Sequence, residues 1–201
     1  MIDTKELMLD AAEALFAEHG YEGTTTRMLA KEAGVNIAMV SYYFGSKEKL
    51  FEALVESRAG VLRDKLISLT ERDIDPWTKI ELIVDYYVER ILSNRNFHRI
   101  LQREMTLQQR PELNQSISKI LAKNRNEVIK IIKEGQKKGI FKQVDAEYTM
   151  ASLVGTISHI AHLSGMDDIS SGAVSKSTEE KIKNRLKKHL KEMLKSHLGV
   201  K

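Results

Sequence analysis

The chain has no cysteine in its 201 residues, which removes disulfide frameworks, thiolate metal sites and cysteine nucleophiles together. It has only two prolines, Pro76 and Pro111, and aromatic residues make up 6% of it. No apolar run approaches the roughly 18 residues that a membrane-spanning helix needs. The N-terminal MIDTKELMLD is too acidic for a secretory signal, and a cytoplasmic location is expected. No stretch reads as a sheet, and there is no internal repeat. No Ser/His/Asp, Cys/His or metal-ligating constellation stands at a recognisable spacing, so neither an enzyme nor a cofactor-holding protein is expected.

What is present is helix after helix. Residues 24–51, TTTRMLAKEAGVNIAMVSYYFGSKEKLF, carry the most information. Thr25 or Thr26 serves as an N-cap, and Met28, Leu29 and Ala33 give a short helix its apolar face before Gly34 closes it. Val35 plugs the turn. Asn36 caps a second helix from about Ile37 to Tyr43, with Val40 and Phe44 four apart and packing inward. Ala38, Met39, Ser41 and Tyr42 are left pointing out. Gly45 and Ser46 break that helix, and Ser46 caps a third that opens with Lys47 and carries Leu50, Phe51, Leu54 and Val55. Two short helices around a tight turn, followed by another helix, outline a helix-turn-helix DNA reader.

Residues 5–54 strongly resemble the TetR (tetracycline-repressor-like) family of bacterial transcription regulators. The resemblance runs through Ala11-Ala12, Leu15-Phe16 and His19-Gly20-Tyr21. It continues through the Thr-x-Arg-x-Leu-Ala-x-x-Ala-Gly-Val pattern of Thr25 to Val35 and the Tyr-Tyr-Phe-x-x-Lys-x-x-Leu pattern of Tyr42 to Leu50. It implies an all-α protein of about nine helices, with a helix-turn-helix DNA-binding domain at 1–46 and a helical effector-binding and dimerisation domain at 47–201. It also implies that Thr25, Thr26, Tyr42, Tyr43 and Lys47 are similar to the family's phosphate clamps. Arg27 either reaches the DNA or pairs with Glu22 or Glu32. Asn36, Ile37, Ala38, Met39 and Ser41 lie where the family reads bases. Being small and mostly apolar, they suit thymine methyls better than bidentate guanine contacts.

Charge gives no shortcut to the same conclusion. The sequence pI is about 9.1, yet residues 1–50 hold five basic groups against eight acidic ones, a net of −3. Residues 176–201 hold nine basic and three acidic groups, a net of +6. The DNA case therefore rests on the motif, where hydroxyls, helix N-terminal N–H groups and a few cations meet phosphates.

Further helices are expected at about Lys47–Arg72, Pro76–Ser93, Asn96–Gln108, Pro111–Gly139, 146–164 behind an Asp145 cap, and Thr178–Leu198. GMDDISSGAVSKST is expected to form a loop between the last two. The small residues Ala151, Gly155 and Ser158, with His162, share one side of the eighth helix. Leu186, Leu190 and Met193 lie on the apolar side of the ninth. These read either as ordinary core faces or, by the resemblance, as the four-helix interface of a homodimer, which suits near-palindromic DNA. Tyr87, Glu104 and Asn124 interrupt apolar stripes. They are expected either to line a small-molecule effector site or to satisfy one another internally. His159 and His162 have no third ligand nearby, so no metal is expected. The resulting picture is a repressor released from its operator by an effector. The alternative is a regulator controlled by a protein partner, or by none.

Overall fold

The computed structural model describes residues 3–169 and 176–200. Among them are nine α-helices: α1 (Thr4–Gly23), α2 (Thr26–Glu32), α3 (Ile37–Phe44), α4 (Lys47–Glu71), α5 (Pro76–Ser93), α6 (Arg95–Leu107), α7 (Pro111–Lys137), α8 (Ala146–Ile169) and α9 (Lys176–Leu198). Their starts follow from side chains that accept otherwise unpaired N–H groups. Asp3 accepts from Lys5 N, and Asp75 accepts from Thr78 N ahead of Pro76, whose fixed φ suits a first turn. Asp145 accepts from Glu147 N and Tyr148 N at 2.8 and 3.0 Å. α8 runs five residues past the expected end, so the first part of the expected loop is helical. A lone Gly165 costs a helix only about 1 kcal/mol relative to alanine. Residues 170–175 of that loop lie outside the described residues, and α9 opens at Lys176 rather than Thr178.

The helices form two compact units, Met1–Gly60 with Asn96–Leu121, and Val61–Arg95 with Ala122–Lys201. A division at residue 46 follows chain order, whereas packing groups α6 and the first half of α7 with the N-terminal helices.

The first unit is built on an aromatic cluster. Phe16 stacks on Tyr21 with centroids 5.4 Å apart, and Phe51 meets both rings edge-on at 5.4 and 5.6 Å. Around it lie Leu9 and Ala12 of α1, Leu29 of α2, Val40 and Phe44 of α3, Leu50 and Leu54 of α4, Ile100 of α6 and Ile117 of α7. Arg58 of α4, its side chain largely buried, grips α1. Its Nε donates to Glu13 at 2.7 Å, and its two terminal nitrogens donate to Glu6 and Asp10.

The second unit has a larger aliphatic core, with Leu62, Leu66 and Leu69 of α4, Ile83, Val84 and Val88 of α5, Ile131 and Ile132 of α7, Ile157 of α8 and Leu190 and Leu194 of α9. α5 packs against both α8 and α9. Beside this apolar seam, α9 is fastened to α5 by charge. Lys183 Nζ donates to Glu89 at 2.7 Å and to Ser93 Oγ at 2.8 Å, and Lys191 Nζ donates to Asp85 at 2.9 Å. Part of the basic excess at the C-terminus is thus spent inside the fold. Gly135 of α7 lies under the Phe141 ring, where a Cβ would come within 2.1 Å of ring carbon.

Candidate nucleic-acid interface

The motif region folds as its local chemistry dictates. Thr25 Oγ1 accepts from Met28 N at 3.2 Å, and Asn36 Oδ1 accepts from Ala38 N at 2.9 Å, so both short helices start on capping side chains. Gly34 at φ 65° turns the chain between them, with Val35 N donating to Ala30 O at 2.9 Å. That φ lies in the left-handed region open chiefly to glycine. Ser46 Oγ accepts from Lys49 N at the head of α4.

Burial divides α3 into two faces. Val40 and Phe44 are buried in the first unit's core, while Ile37 is 44% exposed, Tyr42 86% and Tyr43 42%. Asn36, Ala38 and Ser41 are also exposed, and Met39 is half-buried. Tyr42 and Tyr43 meet edge-on with ring centroids 5.5 Å apart. Exposing two tyrosines and an isoleucine on a helix of eight residues leaves an amphipathic surface that water alone covers poorly. Thr25 is exposed and Thr26 half-buried. Arg27 is exposed and makes no ion pair with Glu22 or Glu32; Glu22 instead pairs with Arg110.

Lys47 is placed differently from the expectation. Its ammonium donates to Tyr21 O at 2.9 Å and to Thr24 O at 3.1 Å, and lies 4.4 Å from the centroid of the Tyr21 ring. These carbonyls belong to the end of α1, where a cation is favoured by the helix dipole. Lys47 is thus committed to joining the start of α4 to the end of α1. Sequence reasoning had no signal for this, since the partners are backbone atoms.

The model for bacterial regulatory proteins of the tetR family matches residues 8–54, and the model for a tetracyclin repressor-like C-terminal domain matches residues 73–162. The chain belongs to the TetR family. It is a helix-turn-helix transcription regulator of that family. Among its relatives, a fatty acid metabolism regulator protein of Bacillus subtilis is 26% identical over 151 residues, 75% of this chain and 77% of that one. A probable helix-turn-helix-type transcriptional regulator of the same species, YttP, is 33% identical over 68% of this chain and 66% of its own. The crystal structure of the regulator FadR from Bacillus subtilis in complex with stearoyl-CoA aligns with a TM-score of 0.77 and 24% identity, covering 92% of this chain and 96% of that chain. FadR from Bacillus halodurans aligns at 0.76, covering 94% and 95%.

The residues expected to line an effector site fall in two places. Glu104 lies in the first unit, Tyr87 and Asn124 in the second. All three are buried. Glu104 accepts from Arg110 Nη1 at 2.7 Å, and Asn124 Oδ1 accepts from Arg63 Nε at 3.1 Å. Two of the three are therefore satisfied within the chain, by arginines that the sequence reading did not consider. Burial raises the Tyr87 phenol above its ordinary pKa, so it stays a neutral hydroxyl.

The expected dimer face also divides. On α8, Ala151, Gly155 and His162 are exposed and Ser158 is half-buried; a Cβ on Gly155 would meet nothing within 4 Å. On α9 the expectation needs correction. Leu186 and Leu190 are 7% and 0% exposed in the protomer's own core, and Met193 packs against that core. The apolar stripe of α9 is consumed by α5, which explains its spacing without a partner. Among the described residues no helix is long and apolar enough to cross a membrane.

Proposed function

We propose that this regulator is a cytoplasmic repressor that binds a near-palindromic operator as a homodimer and is released by a small-molecule effector. The observation that carries the DNA half of the reading is the outward face of α3, with Tyr42 at 86% exposure beside Tyr43 and Ile37 while Val40 and Phe44 anchor the helix. In this reading Asn36, Ile37, Ala38, Met39 and Ser41 meet base edges in the major groove. Thr25, Thr26, Arg27, Tyr42 and Tyr43 meet phosphates. Lys47 holds the turn that carries Thr25 rather than neutralising a phosphate. Two copies join through the exposed small-residue face of α8 around Gly155, a geometry that lets helices approach closely.

For the effector, the FadR complex with stearoyl-CoA makes a long-chain acyl thioester the first compound to test. The aliphatic core of the second unit is chemically suited to an acyl chain, and the Tyr87 hydroxyl offers a polar contact within it. Glu104 is a poorer contact than the sequence suggests, because Arg110 already pairs with it. Selection of bound duplexes from random DNA, followed by addition of stearoyl-CoA to the selected complex, tests both halves. Enrichment of a palindrome and its release by the thioester are expected. No enriched sequence would overturn the DNA reading, and a complex indifferent to the thioester would overturn this effector class.

A further inference from the structure

We propose that Arg103, on α6 and outside the helix-turn-helix motif, is a DNA-backbone contact that serves the head from the side. The proposal rests on the DNA-binding reading above and adds a contact to it. It begins from a shortage of cations. The first unit holds ten Lys and Arg residues against twelve Asp and Glu. Several of the ten are spent. Arg58 holds Glu6, Asp10 and Glu13, Lys47 holds carbonyls, Lys49 pairs with Glu52 at 2.8 Å, and Arg110 pairs with Glu104 and Glu22.

Arg103 is exposed and makes no ion pair among the described residues. Its guanidinium lies against the backbone at Gly20, where a Cβ would stand 3.2 Å from Nη1 and 3.6 Å from Cζ. Gly20 breaks α1 with φ 72°, and its carbonyl accepts from Thr24 Oγ1 at 2.8 Å. The chain therefore folds tightly from Gly20 to Thr24 and delivers Thr25 at the head of α2. Arg103 thus sits against the turn that leads from α1 into the motif.

The neighbouring residue fixes it there. Glu104 is 5% exposed and bonded to Arg110, whose guanidinium also pairs with Glu22 and covers the Tyr21 ring at 4.1 Å. The backbone of α6 at residue 103 is thereby pinned to the end of α1, so only the side chain remains to be ordered on meeting a ligand. A planar fork with five donors matches two phosphate oxygens. In a dimer the two copies would add two phosphate contacts from a helix outside the motif.

The test uses full-length protein and a duplex it has selected from a random library, with binding isotherms across a range of sodium chloride. Each neutralised phosphate contributes a slope of about −0.9 in log affinity against log salt, so Arg103→Ala should flatten the slope by about two per dimer. Affinity should fall for all sequences alike, with base preference and melting temperature unchanged. Arg103→Lys should keep the wild-type slope, because the charge is kept. A wild-type slope in Arg103→Ala, or an alanine-like slope in Arg103→Lys, overturns the proposal. A wild-type protein that binds no duplex overturns the DNA reading instead, so the two failures are distinct.

Discussion

The ammonium of Lys47, at the start of α4, donates to the carbonyl oxygen of Tyr21, at the end of α1, at 2.9 Å. With the second bond to Thr24 and the Tyr21 ring beneath it, one side chain closes the frame that carries the motif. Lys47→Met should leave two carbonyls short of a charged donor and destabilise the protein by about 2 kcal/mol, the scale of hydrogen bonds to charged groups. Chemical denaturation measures this directly. The salt slope of DNA binding should hardly move, which separates Lys47 from Arg103.

Tyr42→Phe removes one hydroxyl from a ring that is 86% exposed. Stability should stay within about 0.5 kcal/mol of wild type, as for most surface changes. Operator affinity should fall several-fold without a change of preferred sequence. Met39→Ala should instead alter which bases are preferred, and a repeated selection from random DNA would reveal it.

Much of this was legible in the sequence because it is local. The caps at Thr25, Asn36 and Asp145, the starts at Pro76 and Pro111 and the inward pair Val40 and Phe44 all depend on neighbours within four residues. The contacts that were not legible join distant segments. Lys47 reaches 26 residues back to Tyr21, and Lys183 reaches 94 residues back to Glu89. No periodicity reports such partners. The same limit left Leu186 and Leu190 with two readings: an apolar stripe states that a face is covered, and leaves open whether α5 or a second copy covers it. Arg103 was not singled out in the sequence at all, because what its guanidinium lies against, the turn at Gly20, is distant in the chain.

Gly135→Ala should destabilise the second unit, because its Cβ would overlap the Phe141 ring at 2.1 Å. Overpacking of this kind costs about 1–3 kcal/mol. Adding Phe141→Leu should recover part of the loss, and a double-mutant cycle by thermal unfolding would measure the coupling.

The fastening of α9 to α5 should weaken in acid. Hydrogen bonds from Lys183 and Ser93, with the Lys183 and Lys187 charges, hold the Glu89 carboxyl below its ordinary value of 4.5 despite partial burial. A carboxyl with a lowered folded pKa stabilises fully above its unfolded value, and that contribution is lost as pH falls through the folded one. Glu89→Gln should therefore lower stability at neutral pH and reduce its dependence on pH below about 4.5. Urea titrations at a series of pH values would show the two curves converging in acid.

Gly155→Leu places a bulky side chain where nothing lies within 4 Å of a new Cβ. The protomer should fold as before, while the proposed dimer weakens. Sedimentation at micromolar concentration would show a shift toward monomer, and a wild-type protein already monomeric there would remove the α8 interface from consideration.

The grip of Arg58 on Glu6, Asp10 and Glu13 has an unequal consequence for sequence drift. Those acids recur at successive turns along one side of α1, so each is partly redundant with the other two. Loss of any one also relieves repulsion among those that remain. Loss of the arginine leaves three like charges along one side of α1 without the cation they share. A saturation library screened for folded protein should thus find Arg58 intolerant of nearly every replacement. The three positions opposite it should accept glutamine, asparagine and exchange between the two acids.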